Sequence, residues 1–224
     1  MKRIGLLGGS FNPAHAAHRR ISLFACRALG LDEVWWLVSP GNPLKAGATD
    51  MAPLAVRFAS AARMARHAPI VPTAIEARLG TRYTVDTLRA IVRRYPRDRF
   101  VWIMGADNLA QFDRWKDWRG IAKTLPIAVV ARPGYGGGAR SGVAMGWLSR
   151  FGRPASDAKR WTRWSLPALV QLHTVPDPTS ATARRAADPD WHRHIDPRAL
   201  RDRVTRRPVS QEVHCPLPPS PPVP

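Results

Sequence analysis

Two histidines three residues apart, His15 and His18, follow two adjacent glycines, Gly8 and Gly9, inside the opening stretch MKRIGLLGGSFNPAHAAH. Adjacent glycines leave backbone amides uncovered by side chains, and amides at the mouth of a helix attract anions. Histidines at this spacing share one helix face, and their ring N–H groups can donate to phosphate oxygens. A solitary histidine on a helix is more often packed or solvated. The pair, set behind Gly8, Gly9 and Pro13, points to phosphate binding.

Such a site needs a strand, a turn and a helix. Ile4, Leu6 and Leu7 form a short apolar run of the kind that lies centrally in a parallel sheet with both faces covered. Pro13 suits a helix start, so a helix is expected from Ala14 to Leu29 with Gly30 as its C-cap. The run VWWLVSP, Val34 to Pro40, is then the second strand of a β-α-β unit, and it opens into the loop SPGNPLKAG.

The remaining segments follow the same alternation. Leu54, Phe58, Ala61, Ala62 and Met64 place a helix over Pro53 to His67. IVPTAIEA reads as a third strand, tolerated at an edge because of Pro72. A polar turn follows, and then a helix with Thr84 as N-cap and Val85, Leu88, Ile91 and Val92 inward. A strand from Phe100 to Met104 ends at Gly105, which sets Asp107 in the crevice where open α/β sheets bind ligands. Trp115 and Trp118 come next, again three apart. Ile127 to Ala131 is a buried strand stopped by Pro133 and Gly134, and residues 134–165 read as an irregular insertion that Trp147, Trp161 and Trp164 fasten to the body. Leu169 to Val175 is the last strand. Ser180 precedes an alanine-rich run as an N-cap, and a short helix is expected from Asp196 to Arg203. Residues 1–205 thus form a single α/β domain, and 206–224 a proline-rich, disordered tail.

Composition narrows the class. The 224 residues are 45% hydrophobic, enough for a full core. No run of 18 apolar residues occurs and the chain enters a strand at once, so neither a membrane span nor a signal peptide is expected and the location is cytoplasmic. Cys26 and Cys215 make no disulfide framework or metal cluster. The formal charge is +19, from 35 Lys and Arg against 16 Asp and Glu. Scattered arginine pairs without interleaved aromatics favour steering of polyanionic substrates over specific nucleic-acid binding. A basic nucleic-acid module remains the alternative of a different class. GLLGGSF lacks the GxGxxG fingerprint of dehydrogenases, although Asp32 and Glu33 fall near the ribose-binding distance.

GGSFNPAHAAH resembles the GGSFDPxHxGH signature of the nucleotidyltransferase superfamily, with Asn12 for the usual Asp and Ala17 for the usual Gly. Asn42, Pro43 and Lys45 are similar to the NPxK segment of its nicotinate mononucleotide adenylyltransferase branch. So are Tyr83, Thr84 and Thr87 to YTxxTL, and Gly105, Asp107 and Trp115 to GxDxxxxxxxW. Ser180, Thr182 and Arg185 resemble ISSTxIR, with Ala181 and Arg184 departing from it.

The resemblance, over about residues 2 to 190, implies a Rossmann-like, doubly wound, mostly parallel sheet. It implies adenylyl transfer from ATP to nicotinate mononucleotide, giving deamido-NAD and pyrophosphate, with Mg²⁺ arriving on ATP and no metal site in the protein. Gly8, Gly9, Ser10, Phe11, His15, His18, Lys45, Gly105, Asp107, Ser180, Thr182 and Arg185 are then expected at ATP, His15 and His18 being catalytic. Asn42, Lys45, Tyr83, Thr84, Val85, Trp115 and Lys116 are expected at nicotinate mononucleotide, with Trp115 stacked on the pyridine and the Val85 and Lys116 amides at its carboxylate. No membrane and no specific nucleic acid are expected as partners, and a homo-oligomer stays open. Another phosphorylated acceptor, such as phosphopantetheine, is the alternative within the superfamily.

Overall fold

Every apolar run named above except the second half of IVPTAIEA becomes a strand of one parallel sheet. The computed structural model describes residues 1–41, 51–131, 142–174, 179–197 and 200–209. The strands are β1 (Arg3–Gly9), β2 (Glu33–Val38), β3 (Ile70–Thr73), β4 (Arg99–Gly105), β5 (Ile127–Ala131), β6 (Gly152–Arg153) and β7 (Leu169–His173). Their order across the sheet is β3-β2-β1-β4-β5-β7-β6, all neighbours parallel. The winding therefore reverses between β1 and β4, and the crevice at their carboxyl ends is where such sheets bind ligands.

Both faces of the sheet are covered, which is why its strands are continuously apolar. On one face Leu6, Trp35, Trp102 and Met104 pack under α3 (Ile75–Leu79), α4 (Thr84–Arg94) and α6 (Trp118–Thr124), reached from β4 through the single turn α5 (Ala106–Leu109). On the other, Leu7, Trp36, Val101 and Ile103 meet α1 (Ala16–Leu29) and α2 (Leu54–Met64). Adjacent Trp35 and Trp36 thus serve opposite cores, as the two-residue period of a strand requires. Among the described residues, no helix is long and apolar enough to cross a membrane.

Several boundaries differ from the sequence expectations. The first helix starts at Ala16 rather than Ala14, because His15 in extended backbone is its N-cap, so Pro13 lies outside the helix. Only IVPT of the third segment is a strand. Thr73 Oγ1 accepts the Ile75 amide and Ile75 begins α3, which closes on Gly80 at φ 63°. Tyr83, not Thr84, is the N-cap of α4. The described part of the insertion is ordered: α7 (Val143–Leu148) leads to the edge strand β6 and a 3-10 helix over Ala155–Arg163. Trp161 is 2% exposed there, its indole N–H donating to the Leu29 carbonyl at 3.1 Å, while Trp147 stands edge-on to Trp118 at 5.3 Å. β7 ends at His173, between β5 and β6.

The helix expected over Asp196–Arg203 is absent among the described residues. Asp202 is buried instead, and its carboxylate accepts from Thr73 Oγ1 at 2.8 Å and the Ala74 amide at 2.9 Å. An antiparallel bridge, Arg201 to Pro208, follows, so 206–209 belong to the folded body. A helix, α8 (Ala181–Ala187), does stand behind Ser180, whose hydroxyl accepts the Ala183 amide at 3.1 Å. Asn42, Pro43, Lys45, Pro133, Gly134, Val175 and residues 210–224 lie outside the described residues.

Candidate active site

β1 delivers the glycine loop and α1 takes the chain away from it, with the two histidines at the junction. A side chain at Gly8 would meet the Trp102 ring at 2.7 Å, so only glycine lets the loop lie against β4. Phe11 turns the chain with φ 49° and is 1% exposed. Its ring stacks on Trp36 at 5.0 Å and lies 4.7 Å from His18, so it is a floor beneath the histidine and can meet a nucleotide only through its backbone.

The rings of His15 and His18 are 3.9 Å apart. The His15 amide donates to His18 Nδ1 at 3.2 Å. A neutral His18 whose Nδ1 accepts carries its proton on Nε2, which makes that atom the donor. His15 is 6% exposed and His18 half-buried.

What holds the loop in place is a residue the sequence pattern did not single out. Arg57 of α2 is 1% exposed and donates to four carbonyls. Nε reaches Ala52, Nη1 reaches Ser10 and Ser39, each at 2.7 Å, and Nη2 reaches Pro40 at 3.3 Å. Ser60, one turn on, accepts the Ala14 amide at 3.2 Å, and the Ala52 amide donates to Asn12 Oδ1 at 3.1 Å. The first two turns of α2 therefore clamp the segment from Ser10 to Ala14. Burial lowers the Arg57 pKa to about 10, with Glu76 acting in the opposite sense, so the guanidinium stays charged at neutral pH. The signal was available: Arg57 lies three residues after Leu54 and four before Ala61, on the apolar stripe.

From the far end of the chain, Arg185 of α8 donates to the Asn12 carbonyl at 2.7 Å. It stands beside the loop that follows β1. Thr182, in the first turn of α8, is exposed.

The opposite wall belongs to α4 and the turn after α5. Lys116 lies over the Tyr83 ring at 4.4 Å and pairs with Asp86 at 3.3 Å, both in solvent contact. Trp115 is half-buried, edge-on to Phe112 at 5.4 Å and to Trp102 at 6.3 Å. The indole N–H groups of Trp102 and Trp115 are buried without a hydrogen-bond partner among the described residues. Asp107 curls back over Gly105, where any side chain would run into its carboxylate. Trp118, the second tryptophan of the pair, is 8% exposed and belongs to the core.

A cavity of about 620 Å³ joins these walls. Gly8, Gly9, Ser10, His15, His18, Tyr83, Thr84, Gly105, Asp107, Trp115, Lys116 and Ser180 all line it. Phe11, Val85, Thr182 and Arg185 do not; the Val85 side chain is in the core, and its amide belongs to the first turn of α4, whose N–H groups have no partner within the helix. Glu76 also lines it, a residue the strand expectation for IVPTAIEA had hidden. Burial raises its pKa to about 7 against the opposing pull of hydrogen bonds from Ser39 and Thr87 and the charge of Arg57. Another hollow, about 770 Å³, lies behind the Pro13–Ala14 turn among Arg19, Arg63, Arg66 and Arg184 and holds neither the glycine loop nor His15 and His18. Cys26 is away from the cavity, its thiol pushed up to about 11 by burial and so protonated.

The geometry is thus two walls, one carrying the glycine loop and the histidine pair and one aromatic, facing each other across the switch point of a parallel sheet. The profile of the cytidylyltransferase-like family matches residues 6–187. A protein of Erythrobacter litoralis named "Probable nicotinate-nucleotide adenylyltransferase" is 61% identical over 210 residues, 94% of this chain and 95% of its own. One of the same name from Parvibaculum lavamentivorans is 52% identical over 82% and 90% of the two chains. Among solved structures, Plasmodium falciparum nicotinic acid mononucleotide adenylyltransferase complexed with NaAD shares the fold at a TM-score of 0.59 and 15% identity, covering 83% of each chain. The chain belongs to the cytidylyltransferase-like family and, within it, to the family of nicotinate-nucleotide adenylyltransferases.

Proposed function

We propose that the protein joins ATP and nicotinate mononucleotide, forming deamido-NAD and pyrophosphate, as a cytoplasmic step of NAD biosynthesis. The observation that carries this is the single cavity in which the His15–His18 pair and the Trp115–α4 wall face each other. The names of the relatives, and the NaAD bound to the Plasmodium protein, support the same pairing of substrates.

An oxygen of the acceptor 5′-phosphate attacks the α-phosphorus of ATP; the bond from that phosphorus to the oxygen bridging to the β-phosphate breaks, and pyrophosphate leaves. No side-chain nucleophile is required, so the protein contributes position and charge neutralisation. Gly9 and Ser10 present amides to the triphosphate, and His15 and His18 donate ring N–H groups to it. Ser180 and the start of α8 face it, and Arg185 stands beside it. Lys45 is assigned to phosphate by its motif alone. Among the described residues no three His, Cys, Asp or Glu side chains converge as a metal cage. Mg²⁺, which would neutralise triphosphate charge, is assigned to arrive with ATP, because the ion leaves phosphate and water reluctantly, and Asp107 is among the carboxylates that line the same cavity.

Trp115 stacks on the pyridine, and the Val85 and Lys116 amides receive its carboxylate. Nicotinamide would turn an NH₂ toward one of these donors, and a buried donor left unpaired costs about 1–3 kcal/mol. Charge-assisted bonds to the carboxylate widen the gap. Products formed from ATP with each mononucleotide should show about 10²-fold higher kcat/KM for the nicotinate form. Trp115→Ala should weaken both acceptors together. Equal specificity constants, or an acceptor such as phosphopantetheine used better, would overturn the assignment.

A further inference from the structure

Glu76 is a carboxyl group that the adenylyl-transfer chemistry above does not use, yet it lines the reaction cavity. It lies in the second position of α3. Its backbone carbonyl accepts the Gly80 and Thr81 amides and so shapes the turn into α4. Its side chain returns to the same helix: Thr87 Oγ1 approaches Oε1 at 3.4 Å and is itself 2.8 Å from Thr81 Oγ1. The carboxyl group thus sits at the N-terminal end of α4, whose first-turn dipoles favour a negative charge.

That end is also where the acceptor's own carboxylate is assigned. We propose that Glu76 is a specificity-determining residue of the acceptor pocket, its negative charge opposing an acceptor that carries a ring carboxylate while leaving one with a neutral amide almost unaffected. The inference rests on the nicotinate mononucleotide reading above. Two carboxylates then compete for one helix end, and the field of α4 can serve both only while Glu76 holds a proton. Burial raises its pKa to about 7, so that proton is lost as pH rises through neutrality.

The neighbouring charges do not cancel the effect. Arg57 of α2 is the charge whose field acts on Glu76, and with its pKa lowered only to about 10 it stays charged at both ends of the tested pH range, so its field does not follow the titration. Arg82, His15 and His18 line the same cavity. Asp86 of α4 is paired with Lys116, and β2 offers Glu33 at its opposite end, paired with Lys2. Asp202, at the start of α3, is held by Thr73 and Ala74.

The test compares kcat/KM for nicotinate and nicotinamide mononucleotides at saturating ATP, at pH 6 and pH 8.5, in the wild-type protein and in Glu76→Gln. The 5′-phosphate titrates identically in both acceptors and drops out of their ratio. In the wild type the nicotinate preference should fall at least about tenfold across this range, the scale of one unit charge acting over about 10 Å at an effective dielectric constant near 20. In Glu76→Gln the ratio should stay flat and match the acidic wild-type value. A wild-type ratio that does not move, or a Gln variant that keeps the pH dependence, would overturn the proposal. A protein that adenylylates neither mononucleotide would instead overturn the functional reading on which it rests.

Discussion

Replacing Glu76 with Gln should stabilise the protein at alkaline pH and lose that advantage on acidification. The carboxyl group ionises near its ordinary value of 4.5 in the unfolded chain but near 7 in the cavity. Between these values the folded state holds a proton that the unfolded state has released, so wild-type stability falls as pH rises through this window. It is fully present below the unfolded pKa and gone above the folded one. A separation of about 2.5 units is worth at most about 3 kcal/mol. Glu76 is only partly shielded from solvent, so about 2 kcal/mol is the fairer expectation. Gln has nearly the same shape and can still accept from Thr87, but does not titrate. Other groups titrate alike in the two proteins and cancel in their difference. Thermal unfolding of both at pH 5.5, 7 and 9 should therefore show the variant gaining about 4–8 °C relative to the wild type between the extremes, for a chain of this size. A constant difference across pH, or a wild type that gains on the variant as pH rises, would show that burial does not hold the proton on Glu76.

His18→Ala should lower kcat on the order of 10²-fold with a much smaller change in KM for ATP, as expected when one preorganised donor to developing charge is lost; wild-type turnover would refute the role. Arg57→Met removes the donor to four partly buried carbonyls, two of them on Ser10 and Ser39, and should cost about 3 kcal/mol in denaturant unfolding along with a loss of kcat. Arg57→Lys should not restore activity, since one ammonium cannot reach carbonyls on three segments at once, and full activity in it would remove the clamp from the account. Duplex DNA should bind weakly and lose binding by physiological salt; sequence-selective nanomolar gel shifts at that salt would assign the +19 charge to nucleic acid instead.

Much of the architecture was legible from local pattern. An apolar run ending in two glycines, a histidine pair three apart, and a serine ahead of an alanine-rich run are properties of a few neighbouring residues, and backbone geometry turns them into a strand, a turn and capped helices wherever they occur. Trp35 and Trp36 face opposite cores for the same local reason. The family motifs pair these pieces with ATP and a pyridine nucleotide from the sequence alone. What local pattern could not contain is whichever state is set by chain distant in sequence. His15 is a cap rather than a helical residue because the loop before it is held by Arg57 from 47 residues beyond Ser10 and by Arg185 from 173 beyond Asn12. β6 is an edge strand only because β7 has paired with β5 first in space, and the segment around Asp202 is no helix because its carboxylate is claimed by Thr73 and Ala74. Glu76 looks like any surface glutamate in the sequence. Its proton affinity is a matter of desolvation, and desolvation is created only when α2, α3, α4 and the loop after β2 close around one carboxyl group.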